Sequence, residues 1–585
     1  MQTPRVRRRR ERAARSKAAA MASEFVFIYP KRRLDAACAR RVFFARRGRI
    51  PAPSTSRVEP YSETLNLLRI FPSTSGSGTF YVPCVSKREG LVFSSTGTLA
   101  PSSVPRSLFL ELARGRLGLL LRKRCEWGAL GLETPKELTA ATRCDLRRFA
   151  ELATADRSAP GYEDECAATF DSLRETCLRT NDLFLEQATT ARRDSLLEAT
   201  PSLGFSADAA TFAGEKTPFS GVLGVSGRRL RSAFSVFNPS ISWAEIERRE
   251  GAFDWSAFDR ALAFGRKRGW RTTFGPLTRW TSRTVPAWVL GRSERELTEA
   301  FGRFVEAAVV RAGLGVGRWV VATNVERCDW GPTPDARLAA SEEAARRIRR
   351  LLPGAEAFWG FERPFGDAER FGASPVGSPF EVACRLIGRR TFDGIYLEAN
   401  FGLSRLATAP RDSFELHRFF DRWATLGTPI CVAASFPSAN PRGRVPTFFS
   451  ATAERSWGRW FGLGKRAGDD VADLLTAPPE LEIDESFWSE RTQQENARRF
   501  FLTALARRSV VEAIWSRWED GLVDEFGAEL GDATDETTRD GAAFDAQKSE
   551  RTARDEAPTS GLFDEVGRPK PAFHKLAALK RAYLG

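Results

Sequence analysis

From about residue 215 onward, short apolar runs alternate with helix-patterned stretches, and this alternation leaves few architectures open. The runs are FSGVLGV (219–225), RSAFSVF (231–237), RTTFGPL (271–277), RWVVATNV (318–325), AFWGFE (357–362), FDGIYLEAN (392–400), PICVAAS (429–435) and VVEAIWS (510–516). Between them FDRALAFGRKRG, ERELTEAFGRFVEAAVVRAG and SEEAARRIRRLL carry apolar residues at helical spacing. A helix returning between two strands makes those strands parallel, because a parallel pair needs a long crossover. Eight such units predict an α/β fold, a (β/α)8 TIM barrel with long loops.

The rest of the chain has other textures. Residues 1–22 form a basic tail, and Met21 is a plausible start because EFVFIYP follows it. Residues 23–103 (FVFIYP, RRVFFARR, TLNLLRIFP, GTFYVPCV, GLVFSSTGTL) read as strands and turns, predicting a small N-terminal β-rich domain. Residues 104–200 switch to helical spacing and predict a helical linker domain. The barrel is assigned to 215–583, with loop insertions near 438–492, which is Trp-rich, and 522–558, which is acidic and aperiodic.

Composition excludes several classes of function. Only two histidines occur, His417 and His574, so a His-rich metal centre is out; both fall in segments that read as surface helices. Nine cysteines with no C-x-x-C argue against structural zinc and against a disulfide framework, and no secretory signal is read, so a cytoplasmic location is expected. No membrane span is expected. The net charge is +15, but residues 1–20 hold +7 of it, so nucleic acid is not expected as a partner beyond that tail. The oligomeric state is left open.

The segment ISWAEIERREGAFDWSAFDRALAFGRKRGWRTTFGPLTRW, followed by TVPAWV, resembles glycoside hydrolase family 10, the endo-1,4-β-xylanases. WVVATN, DGIYLEAN, AIW and the closing GLFDEVGRPKPAFHKL extend the resemblance over roughly residues 215–583. It implies a carbohydrate-active barrel that takes a β-linked polysaccharide or oligosaccharide, uses no cofactor or metal, and hydrolyses through two glutamates about 5–5.5 Å apart.

The departures fall on the chemistry. The family's acid/base position is Val325, with Glu326 one residue late, and its nucleophile position is Ala434. Phe237, Ser242 and Gly275 stand where the family has sugar-positioning Glu, Lys and His; Glu398 and Asn400 replace Gln and His. Glu326 as acid and Glu398 as nucleophile are therefore the candidate catalytic residues. Asn238, Trp288, Asn324, Glu362, Asn400 and Trp515 are the candidate substrate-binding residues, and two or three of the tryptophans at strand ends are expected to face the cleft. Two functions follow: a hydrolase with displaced carboxylates, or a catalytically silent barrel that binds glycans or serves as a scaffold.

Overall fold

The computed structural model describes residues 24–34, 36–39, 42–46, 52–72, 75–86, 88–195, 200–213, 229–325, 330–366, 378–402, 408–439, 488–517, 560–564 and 568–584. The basic tail, Met21, FSGVLGV, Glu326, Trp518 and nearly all of the two insertions lie outside them. The chain divides into two compact units. One comprises residues up to Gln187 together with Pro410–Leu416; the other comprises most of the remainder.

The N-terminal unit holds one seven-stranded sheet. Its strands are β1 (Phe25–Pro30), β2 (Phe43–Ala45), β3 (Ala52–Pro60), β4 (Leu65–Pro72), β5 (Thr79–Ser86), β6 (Gly90–Ser95) and β7 (Ser102–Ser107), in the order β6-β5-β2-β3-β4-β1-β7. Adjacent residues Phe43 and Phe44 point to opposite faces, yet both are buried, Phe44 against Phe25 and Phe80 and Phe43 against Phe93. A sheet buried on both faces needs cover. Three helices follow it: α1 (Leu108–Ala129), α2 (Lys136–Thr154) and α3 (Tyr162–Asp194). Ser107 caps α1 by accepting from the Leu110 amide, and Gly115 lets α1 reach β6, since a Cβ there would sit 2.4 Å from the Ser95 carbonyl oxygen. The expected separation of 23–103 from 104–200 is therefore not kept: strands and helices share one core.

Pro410–Leu416 completes that core. Arg116, buried, forms an ion pair with buried Asp412. Glu415 accepts from Ser95 Oγ at 2.8 Å, and the Phe93 amide donates to the Pro410 carbonyl.

The second unit is a closed barrel of eight parallel strands. They are β8 (Ser202–Asp208), β9 (Val236–Ser240), β10 (Arg271–Phe274), β11 (Arg318–Ala322), β12 (Glu356–Glu362), β13 (Gly394–Asn400), β14 (Ile430–Ser435) and β15 (Val510–Trp515), with β15 pairing back to β8. The helices α4 (Ser256–Lys267), α5 (Glu294–Ala312), α6 (Pro334–Leu351), α7 (Pro379–Arg389), α8 (Ser413–Ala424), α9 (Glu490–Leu505) and α10 (Pro571–Tyr583) accompany it. The (β/α)8 reading stands, with a corrected start. The first strand is SLGFSAD, ahead of residue 215, and the run at 231–237 is split between a helical turn (229–233) and β9.

Local chemistry accounts for these elements. α4 buries Phe258, Ala261, Leu262 and Gly265, one apolar stripe at helical spacing. Capping boxes Ser293/Glu296 and Ser378/Glu381 start α5 and α7. Alternate residues of the strands point inward, so Val320, Phe358, Tyr396, Cys431, Ala433 and Ile514 fill the barrel's middle. At its amino-terminal end Glu512 pairs with Arg318 and accepts from Thr273 Oγ1 at 2.7 Å. The outward residues include several aromatics, among them Trp319 on Phe274, Trp359 on Phe392 and Trp515 on Phe501. His417 is wholly buried, its Nδ1 2.7 Å from Arg507 Nη2, which corrects the surface reading; His574 is exposed as expected. No helix among the described residues is long and apolar enough to cross a membrane.

Candidate functional site

The inward period that places Phe358 and Tyr396 in the barrel's middle carries Glu362 and Glu398 to its carboxyl-terminal mouth. The two are direct register partners on β12 and β13. Arg279, just beyond β10, lies between them: its Nη1 donates to Glu362 Oε1 and, at 2.9 Å, to Glu398 Oε2. The nearest carboxyl oxygens are thus within two hydrogen-bond lengths, about 6 Å. All three side chains are nearly enclosed.

Other strand ends complete a polar ring. Thr323 Oγ1 donates to Glu362 Oε1 at 2.8 Å, and Asn324 Nδ2 to Glu362 Oε2 at 2.7 Å. Asn400 Nδ2 donates to Glu398 Oε1 at 2.9 Å, while Asn400 Oδ1 accepts from Ser435 Oγ at 3.0 Å and from Ser516 Oγ. Burial alone would raise the Glu362 carboxyl. The Arg279 charge, the Asn324 amide and the Arg363 charge outweigh it and hold the group below the usual glutamate range. Beneath them, burial and the Glu398 charge push the Tyr396 phenol far above its ordinary value.

Three residues at successive strand ends hold left-handed backbone without being glycine: Trp280 (φ 49°), Asn324 (φ 58°) and Arg363 (φ 51°). Each is in the ring or next to a member of it. Strained non-glycine backbone gathers where a chain holds functional side chains in place. Asn324 Oδ1 is also buried with no hydrogen-bond partner among the described residues.

The ring brings together four of the expected residues: Glu362, Glu398, Asn324 and Asn400. Others lie elsewhere. Asn238 is wholly buried and stitches β9 to β10 by donating to the carbonyls of Thr273 and Gly275, at 2.7 and 2.9 Å. Trp515 is wholly buried on the outer face of its strand, against Phe501, so it offers no surface to a ligand. Trp288 is half-buried; it meets Trp243 edge-on and donates Nε1 to the Glu247 carbonyl. Of the other tryptophans at or near strand ends, Trp243, Trp280 and Trp359 are buried and Trp330 is half-buried. Core packing has claimed most of the indoles.

The departures from the family pattern acquire physical detail. The β11–β12 register shifts between Val320 and Ala322, so the simple alternation that set Val325 against Glu326 does not run to the end of β11. Val325 is buried, and its carbonyl accepts from Arg337. Ala434 pairs with Ala399 and Trp515 and shares their outward face; the inward residue at that level is Ser435. Gly275 cannot be a histidine here, since its Cβ would lie 2.3 Å from the Val320 carbonyl oxygen. Arg279, the centre of the ring, was missed by the sequence reading. Its partners lie 83 and 119 residues away in the chain.

No protein-family model matches the sequence, and no curated protein matches it. Among solved structures, xylanase 10B from Thermotoga maritima is similar at 14% identity, covering 68% of this chain and 98% of that one, with a TM-score of 0.43. A GH10 endoxylanase retrieved from sugarcane soil metagenome is similar at 13% identity, with 68% and 99% covered and a TM-score of 0.42. The endo-1,4-β-xylanase XylE of Penicillium canescens is similar at 12%, with 68% and 97% covered and a TM-score of 0.42. The chain resembles family 10 xylanases. That likeness concerns the fold, which rests independently on the closed strand order.

Proposed function

We propose that the barrel mouth binds a neutral, hydroxyl-rich ligand, a β-linked oligosaccharide or polysaccharide, and does not hydrolyse it. The observation that carries this reading is the shared guanidinium: Arg279 engages both Glu362 and Glu398. A general acid needs a carboxyl that keeps its proton near neutrality. Glu362 is held the other way, and both Glu398 oxygens already receive N–H donors. Carboxylates so fixed make good acceptors for sugar hydroxyls, because a charged acceptor strengthens a hydrogen bond. The Asn324 carbonyl oxygen offers one acceptor more.

One observation favours the second reading, a hydrolase. Two carboxyls within about 6 Å match the spacing of retaining glycosidases. The pair so spaced is Glu398 and Glu362, so in that reading Glu398 is the nucleophile and Glu362 takes the acid's place expected for Glu326, which lies outside the described residues. Reducing-sugar release from xylan and other β-glycans separates the two. The binding reading expects none above a heat-killed control. Release by the parent that is abolished in Glu398→Gln, and also in Glu362→Gln or Glu326→Gln, supports the hydrolase and overturns the silent barrel.

A further inference from the structure

We infer that Arg279 is the positioning and specificity-determining residue of this mouth: it fixes Glu362 and Glu398 as a pair and makes the pair select uncharged sugars over amine-bearing ones. The inference rests on the saccharide reading above and deepens it.

Geometry comes first. One guanidinium nitrogen donates to both carboxyls, so the position of each is tied to the other through Arg279. The residue after Arg279, Trp280, sits in left-handed backbone and is wholly buried, its Nε1 donating to Ser341 Oγ at 3.1 Å. The Thr323 amide donates to the Thr278 carbonyl, and the Arg279 amide to Thr284 Oγ1. Arg279 therefore projects from a stretch anchored on both sides, and a fixed base makes a long side chain a defined strut.

Charge comes second. Without Arg279, two carboxyls on adjacent strands would face each other with Thr323, Asn324 and Asn400 as neutral neighbours. Among the described residues, the Arg363 charge also acts on Glu362, and the Tyr396 phenol lies beneath Glu398. Such a pair is a cation site and would favour an ammonium group. With Arg279 in place that demand is met inside the protein. An incoming amine must compete with a guanidinium already held, whereas a hydroxyl only adds a donor to oxygens with lone pairs to spare.

The test uses the full chain with Arg279→Met and Arg279→Lys. Calorimetry compares xylotetraose with fully deacetylated chitotetraose. The parent is expected to prefer xylotetraose, Arg279→Met to shift the affinity ratio toward the amine sugar by about tenfold or more, and Arg279→Lys to keep the parental order. An unchanged ratio in Arg279→Met, or the same reversal in Arg279→Lys, overturns the inference. A second readout needs no ligand: the pH titration of the Glu362 carboxyl followed by NMR. Its midpoint is expected to rise in Arg279→Met and to return toward the parental value in Arg279→Lys; an unmoved midpoint overturns the inference even if sugars bind. If the parent binds neither sugar, the saccharide reading falls and so does the selectivity drawn from it, while the titration still decides the positioning role. Should Arg279→Met not fold, Arg279→Gln, which keeps N–H donors without charge, is read in the same two assays.

Discussion

Glu362 shows how one residue's surroundings set its chemistry. It accepts from Arg279, Thr323 and Asn324 and is nearly enclosed. Glu362→Gln keeps the shape but removes the charge that Arg279 pairs with. It is expected to cost about 2 kcal/mol in urea unfolding at pH 7. An unchanged midpoint would show the bridge to be idle. The folded carboxyl titrates below its unfolded value, so its stabilisation is present above about pH 4.3 and is lost as pH falls further toward the folded value. Below that pH the parent is expected to lose stability faster than Glu362→Gln. The sequence made Glu362 and Glu398 visible because both sit near the ends of apolar strand runs. It could not show Arg279, whose setting in GPLTRW carries no periodic signal and whose partners meet it only through barrel closure.

At the level of elements, small residues decide how closely strands and side chains can stack. Gly360 lies on the inward face of β12 one step below Glu362, and a Cβ there would lie 2.3 Å from the Thr323 methyl. Gly360→Ala is therefore expected to displace Thr323 and destabilise by about 1–3 kcal/mol, read by thermal melting. The parental melting temperature would show that the site yields freely. Gly204 explains the misplaced first strand: SLGFSAD is polar in part and broken by glycine, so it reads as a linker. A Cβ at Gly204 would meet Val236 Cβ at 2.9 Å, so close packing in the closed barrel demands what the local pattern disguises. The later strands were legible because their apolar runs are longer and bounded by turns.

The start of α3 carries a second pH response. Burial pushes the Glu163 carboxyl up to about 7, despite the 2.6 Å hydrogen bond it accepts from Ser107 Oγ. A carboxyl raised on folding favours the folded state while protonated, and that contribution is lost as pH rises from about 4.3 through 7. Glu163→Gln is expected to narrow the difference in melting temperature between pH 5 and pH 8.5. An unaltered difference would contradict the assignment.

At the scale of the whole molecule, the N-terminal unit is assembled from segments far apart in sequence. Asp412 neutralises buried Arg116, and Glu415 accepts from Ser95, yet both come more than 200 residues after the rest of that unit. A fragment of residues 24–187 alone would leave Arg116 buried without its carboxylate, at a cost of about 3–5 kcal/mol. It is expected to show no cooperative thermal transition by circular dichroism; a sharp transition would show that Pro410–Leu416 is dispensable. No local pattern announces such an insertion, which is why the first 200 residues read as separate pieces. In the other unit, the mouth is proposed to hold a saccharide between clamped carboxylates without cutting it. The most direct measurement is titration calorimetry of the full chain with β-linked oligosaccharides, with reducing ends counted in the same cell afterwards. Saturable binding, weakened in Glu362→Gln, and no new reducing ends are expected. Released reducing ends, or no heat from any sugar, would contradict the proposal.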